Sequence, residues 1–305
     1  MNASRNIFAA FLMFLIFLMI PYYLDFIGVN PEPSIDAPTD TEPEKIVLVP
    51  NDVPRNPLDF IDDKYSAPTS IQDENIEIHV VTDLFLMTLS NRGGGSLIGY
   101  KLLDTNEDNY RFLGSYGEDG LYDKSAPVLL YKDLVGLFCS PCLSVDNQEV
   151  LFNFPFKLVN WNHSDTLFVR KGETATLEFQ YLFDSDHYIE KTIYLNGDSY
   201  TFDFNYRYNL SNLFSGKNIE LSWLSGILPT EINQVDELSY SGAYLSLDSG
   251  LESISQTTPA NIERVYFSGD VNWFAVRNKF FTMATIPNQD ALGASLQSEN
   301  LILSN

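Results

Sequence analysis

The chain has 305 residues, 45% of them apolar and 14% aromatic, enough to build a large core. Its 41 acidic residues against 18 basic ones give a net charge of −23. That excess repels phosphate backbones, which excludes nucleic-acid binding, and keeps any folded domain off anionic headgroups.

The first predicted element is a transmembrane helix over residues 1–25. Between Asn6 and Leu24 there is no charged side chain, and Ile7 to Ile20 is unbroken apolar sequence. A helix of that length spans roughly 28 Å, close to the hydrocarbon thickness of a bilayer. Arg5 precedes it and Asp25 with many further acids follows, so the positive-inside bias places Met1 in the cytoplasm. The segment runs into Pro21-Tyr22-Tyr23-Leu24 with no small-residue cleavage pattern, and the aromatic pair suits an interfacial belt. An uncleaved anchor is expected. Residues 26–75 read as an extended, disordered tether: the stretch 31–74 holds eight of the fifteen prolines and eleven acids. Within it only Ile46 to Val49 offers an apolar run, limited by Pro50.

From Ile76 the pattern has period two, which predicts an all-β domain over 76–305, a large antiparallel sandwich. Ile76, Ile78 and Val80 alternate with Glu77 and His79; Leu177, Phe179, Tyr181 and Phe183 alternate with polar residues. Ile189, Lys191, Ile193 and Leu195 form a row leading to Asn196-Gly197, a two-residue hairpin signal, and Tyr200, Phe202, Phe204, Tyr206 and Tyr208 share the next face. Ile219, Leu221 and Trp223 repeat the alternation.

No constellation in this domain predicts catalysis, a cofactor or a metal. Cys139-Ser140-Pro141-Cys142 lies in a β context with no helix start to activate a thiolate and no second ligand pair. A local structural disulfide is the simplest reading outside the cytoplasm, with a redox pair or a metal site as alternatives. Gly93-Gly94-Gly95-Ser96 precedes a strand rather than a helix, so it reads as a turn and not a phosphate cradle. Asp184, Asp186, His187 and Glu190 read as a solvated acidic turn, His163-Ser164-Asp165 as a loop, and His79 as outward-facing.

The order of these features resembles the N-terminal half of the bacterial membrane protein insertases of the YidC/Oxa/Alb family. Met1-Asn2-Ala3-Ser4-Arg5-Asn6 before the apolar helix is similar to that family's first segment, and the acidic tether matches in position. Val81-Thr82-Asp83-Leu84-Phe85 and Leu89-Ser90-Asn91-Arg92-Gly93-Gly94 resemble its opening Thr-Asp strand and Gly-Gly turn. The most specific piece is Gly269 to Phe281, which resembles G-x-x-x-W-x-A-x-x-x-K-[YF]-F and is followed by Ile286-Pro287. The resemblance implies a periplasmic β-supersandwich similar to galactose-mutarotase-like folds. It also implies a role in inserting and folding inner-membrane proteins, alone or beside the Sec translocon, with nascent membrane proteins and Sec subunits as partners. That family's insertion chemistry belongs to a bundle of later transmembrane helices. No second long apolar stretch occurs between Asp25 and Asn305, so the expected chain is an anchor plus accessory domain, a fragment ending before the domain closes. The alternatives are a membrane-anchored periplasmic carbohydrate-binding sandwich, an epimerase of the mutarotase-like group, or an unrelated anchored chaperone.

Overall fold

The computed structural model describes residues 75–298, apart from breaks at 107–108, 118–119, 135, 146–149, 160, 162–164, 215–217, 256–262 and 290. The expected anchor, the tether, and His163 and Ser164 lie outside the described residues. Among the described residues no helix is long and apolar enough to cross a membrane. The chain divides into units 1–51 and 52–305, and everything described belongs to the second.

In chain order the strands are β1 (Glu77–Val81), β2 (Phe85–Ser90), β3 (Ser96–Leu102), β4 (Thr105–Asn106), β5 (Asn109–Tyr110), β6 (Leu113–Tyr116), β7 (Tyr122–Pro127) and β8 (Leu129–Lys132). There follow β9 (Cys142–Val145), β10 (Val150–Leu151), β11 (Lys157–Val159), β12 (Thr166–Phe168), β13 (Thr174–Leu182), β14 (Tyr188–Asn196), β15 (Phe202–Asn209) and β16 (Ile219–Ser222). A single-turn helix α1 (Gln234–Leu238) precedes β17 (Gly242–Leu247), β18 (Gly250–Ser255), β19 (Glu263–Ser268), β20 (Val271–Arg277), β21 (Thr282–Thr285) and β22 (Gly293–Ser298).

Three sheets enclose the main core: a five-stranded sheet ordered β12-β1-β2-β3-β8, a three-stranded β10-β9-β16 and a four-stranded β11-β13-β14-β15. Alternation decides which side chains enter it. Ile78 and Val80 of β1, Leu177, Phe179 and Tyr181 of β13, and Ile189, Ile193 and Leu195 of β14 are all buried there. Burying a side chain of this size contributes about 1.5–3 kcal/mol, so these rows dominate the stability of the domain. A second, smaller core of Leu245, Leu247, Ile254, Val271 and Leu296 lies within β18-β17-β20-β21 and the two-stranded β19-β22.

The all-β expectation holds, as multiple antiparallel sheets consistent with a sandwich; four local expectations change. One pairing is parallel: β1 runs alongside β12, with Val80 opposite Leu167. Thr82-Asp83 is a turn rather than strand, because Thr82 Oγ1 accepts from Leu84 N and Phe85 N, both at 3.0 Å. Asn196-Gly197 does not close a two-residue hairpin: β14 and β15 first pair at Leu195 and Phe202, and Asn196 Oδ1 instead accepts from Asp198 N at 2.9 Å. Gly197 is needed there for close approach, since a Cβ would sit 2.1 Å from Arg170 O. His79 is half-buried, with Nδ1 3.2 Å from Thr88 Oγ1 on the neighbouring strand, because the cross-strand threonine covers it.

Candidate interaction surface

Residues 228–240 and 278–281 expose several apolar side chains on a hydrogen-bonded support. Helix α1 is one turn long and would not persist alone. Asn233 caps it, accepting from Asp236 N at 3.2 Å, but the decisive anchor is Glu237. Its buried carboxylate accepts from Thr230 N (2.8 Å), Thr230 Oγ1 (2.7 Å), Glu231 N (3.0 Å) and Asn278 Nδ2 (2.8 Å). Asn278 Oδ1 in turn accepts from Phe280 N (3.0 Å) and Phe281 N (2.8 Å), shaping the turn between β20 and β21. One carboxylate thus ties the approach to α1, the helix itself and that turn into a single body. Asn278 Nδ2 also reaches Leu228 O at 3.2 Å, but the Thr230 and Glu231 N–H groups depend on this carboxylate as their acceptor.

Around this clamp the side chains point outward. Val235 is 81% exposed and Ile232 75%, with Tyr240 and Phe280 also exposed. Lys279 Nζ lies 2.6 Å from Asp236 Oδ2 and sits over the rings of Tyr240 (5.6 Å) and Phe280 (5.2 Å). The Asp236 hydrogen bond holds the Lys279 ammonium above its ordinary pKa. Ile232 also lines an open groove of about 520 Å³ with Tyr122, Asp123 and Lys124. Tyr122 donates to Thr230 O (3.3 Å) and Tyr116 to Glu231 O (2.9 Å), so the β6–β7 hairpin is fastened to the same tip. Exposed aromatic and aliphatic side chains on a held backbone, ringed by charge, have the composition of a protein-binding patch rather than a catalytic site.

The residues weighed in the sequence are placed elsewhere. Cys139 and Cys142 are bridged, with sulfur-bearing residues 1% and 0% exposed. Gly93, Gly94 and Gly95 form a turn with positive φ; a Cβ on Gly95 would lie 2.4 Å from the Phe179 ring. The acidic turn closes on itself: Asp184 Oδ1 accepts from Asp186 N and His187 N (both 2.8 Å), and the His187 ring bridges Asp184 Oδ2 (2.7 Å) and Ser211 O (2.9 Å). These bonds, the Asp186 N–H first, hold the Asp184 carboxyl below the usual range. Glu190 takes Gln180 Nε2 at 2.9 Å.

The sequence reading set Lys191 in the row of Ile189, Ile193 and Leu195 but assigned it no role. It occupies an inward position of β14 and is 1% exposed, donating to Gly95 O (3.2 Å) and Pro141 O (3.0 Å) beneath the rings of Tyr206 and Phe204. Burial pushes its pKa down to about 7. The signal was present: a lysine in register with Ile189, Ile193 and Leu195 must be buried if they are.

Residues 153–302 match the family model described as the YidC periplasmic domain. Curated relatives named membrane protein insertase YidC align with much of the chain. The protein of Chlorobium limicola is 27% identical over 225 residues, 73% of this chain and 36% of the relative. That of Pelodictyon phaeoclathratiforme is 25% identical over 281 residues, 91% of this chain and 45% of the relative. That of Chlorobium luteolum is 31% identical over 137 residues, 44% of this chain and 23% of the relative. The chain therefore matches less than half the length of these relatives. No solved structure matches it.

Proposed function

We propose, proceeding from the match of residues 153–302 to the YidC periplasmic-domain family model, that the chain serves membrane-protein insertion as an anchored accessory arm. In this reading residues 1–25 span the inner membrane with Met1 in the cytoplasm, residues 26–75 are a tether, and residues 76–305 form a periplasmic β-supersandwich. The domain presents its α1 tip to partners of the insertion machinery, the Sec translocon or the emerging membrane protein among them. The observation that carries the role is the exposed pair Ile232 and Val235 on a backbone locked by buried Glu237. An acidic β domain in water cannot lower the cost of moving polar groups into lipid, several kcal/mol per unsatisfied group; that requires a polar groove within the membrane. Its contribution is therefore recognition and positioning, not catalysis. Sugar binding has no observation in its favour.

Two measurements test this. In cells depleted of their insertase, the full-length protein carrying Ile232→Asp and Val235→Asp is expected to lose crosslinks between the tip and neighbouring proteins while accumulating normally. Unchanged crosslinks refute the tip as a contact. Full rescue of insertion by a chain ending at Asn305 refutes the accessory role.

A further inference from the structure

The four-residue ring closed by Cys139 and Cys142 sits where the three sheets of the main core meet. Ser140 N donates to Ser96 Oγ (2.7 Å) and Ser140 O accepts from Leu97 N (2.9 Å), both on β3. Tyr131 of β8 donates to Ser140 Oγ at 2.6 Å, and Cys139 O accepts from Leu224 N at 3.0 Å, just beyond β16. Pro141 O accepts from two donors of the third sheet, the buried Lys191 Nζ on β14 and the hydroxyl of half-buried Tyr206 on β15, each at 3.0 Å. Among the described residues no carboxylate pairs with Lys191, whose other acceptor is Gly95 O at 3.2 Å. A buried amine in such surroundings depends on its carbonyls, because losing one leaves a desolvated polar group uncompensated. Of the two, only Pro141 belongs to a loop pinned covalently at both ends.

We propose that oxidation of Cys139 and Cys142 gates the maturation of this domain, the closed bridge securing the Pro141 carbonyl as acceptor for Lys191. The reaction is thiol–disulfide exchange with a disulfide-bearing oxidant. One cysteine thiolate attacks the oxidant's disulfide, forming a mixed disulfide and releasing one oxidant thiol. The second cysteine then displaces the other oxidant sulfur. Two electrons and two protons pass from the cysteines to the oxidant, which leaves as a dithiol, and the Cys139–Cys142 bond remains. Because both cysteines are within 1% of full burial, exchange must precede seating of the loop. For the same reason the finished bridge is shielded from dithiols until the domain opens.

A double-mutant cycle tests the coupling on the full chain in detergent micelles, with unfolding by urea at neutral pH. The four proteins are the parent, Cys139→Ala/Cys142→Ala, Lys191→Met and the triple variant. Removing the bridge is expected to raise the unfolding constant at least about tenfold more in the parent than in the Lys191→Met background. Equal factors in both backgrounds overturn the proposal. If Cys139→Ala/Cys142→Ala does not fold, adding Lys191→Met is expected to restore folding, and failure to restore it is equally fatal. The shielding has its own readout. Dithiothreitol followed by a maleimide should label the parent only above the urea midpoint, and labelling in native buffer at the rate of an unfolded peptide refutes it.

Discussion

Lys191→Met should flatten the pH dependence of stability. In the native protein the amine is pushed down to about 7, against an ordinary value near 10.5. Below pH 7 both folded and unfolded chains carry the proton, and the native state bears the whole cost of burying it, on the order of 5 kcal/mol. Between pH 7 and 10.5 the unfolded chain binds more protons than the native one, so stability rises with pH throughout that window. Between pH 7 and pH 9 the gain is roughly 2 kcal/mol, and it disappears when the amine is replaced by an unbranched apolar side chain. The upper limit matters. Tyr131 and Tyr181 are held up to about 12 by burial, so above pH 10 ionisation of the unfolded tyrosines works in the opposite direction. Urea unfolding of the parent and the variant at pH 7, 8 and 9, compared as a difference, cancels contributions from histidines and carboxylates common to both. Parallel profiles would refute the assignment of Lys191 as a buried amine that titrates near neutrality.

Glu237→Ala leaves Thr230 N, Glu231 N and Asn278 Nδ2 without their shared acceptor and should cost about 3–5 kcal/mol by chemical denaturation. Its amide-exchange protection should fall first in α1 and the 278–281 turn; uniform loss across the domain contradicts the local clamp. Gly95→Ala forces a Cβ against Phe179 and Ile193 at a positive φ, and a loss of at least about 3 kcal/mol is expected. Measured stability within 1 kcal/mol of the parent would mean the turn relaxes freely. Val235→Asp, at a largely solvated position, should change stability by no more than about 0.5 kcal/mol, a midpoint shift readily checked by urea titration.

The hydrogen-bonded tip and the buried amine illustrate the same physical point. A charged group removed from water persists only where several donors or acceptors converge on it, and convergence requires segments far apart in the chain. At Glu237 the result is a carboxylate that orders an exposed apolar surface. At Lys191 it is an amine whose acceptors come from a glycine turn and a disulfide ring.

Amphipathic alternation belongs to the chain itself, because successive side chains of a strand point to opposite faces whatever the strand pairs with. Hence β1, β13, β14 and most of β15 were legible in the order of residues, with their inward rows, and so were the Gly93–Gly95 turn and the proximity of Cys139 to Cys142. The segment Gly269 to Phe281 was recognisable as a pattern, but its purpose was not: Asn278 is there to meet Glu237, 41 residues away. Lys191 was placed inward by register, yet its acceptors stand 96 and 50 residues off and carry no local mark. The parallel pairing of β1 with β12, the opened Asn196-Gly197 loop and the one-turn helix α1 depend likewise on partners distant in sequence. Periodicity names which side of a strand is buried; only the closed fold decides what waits on that side.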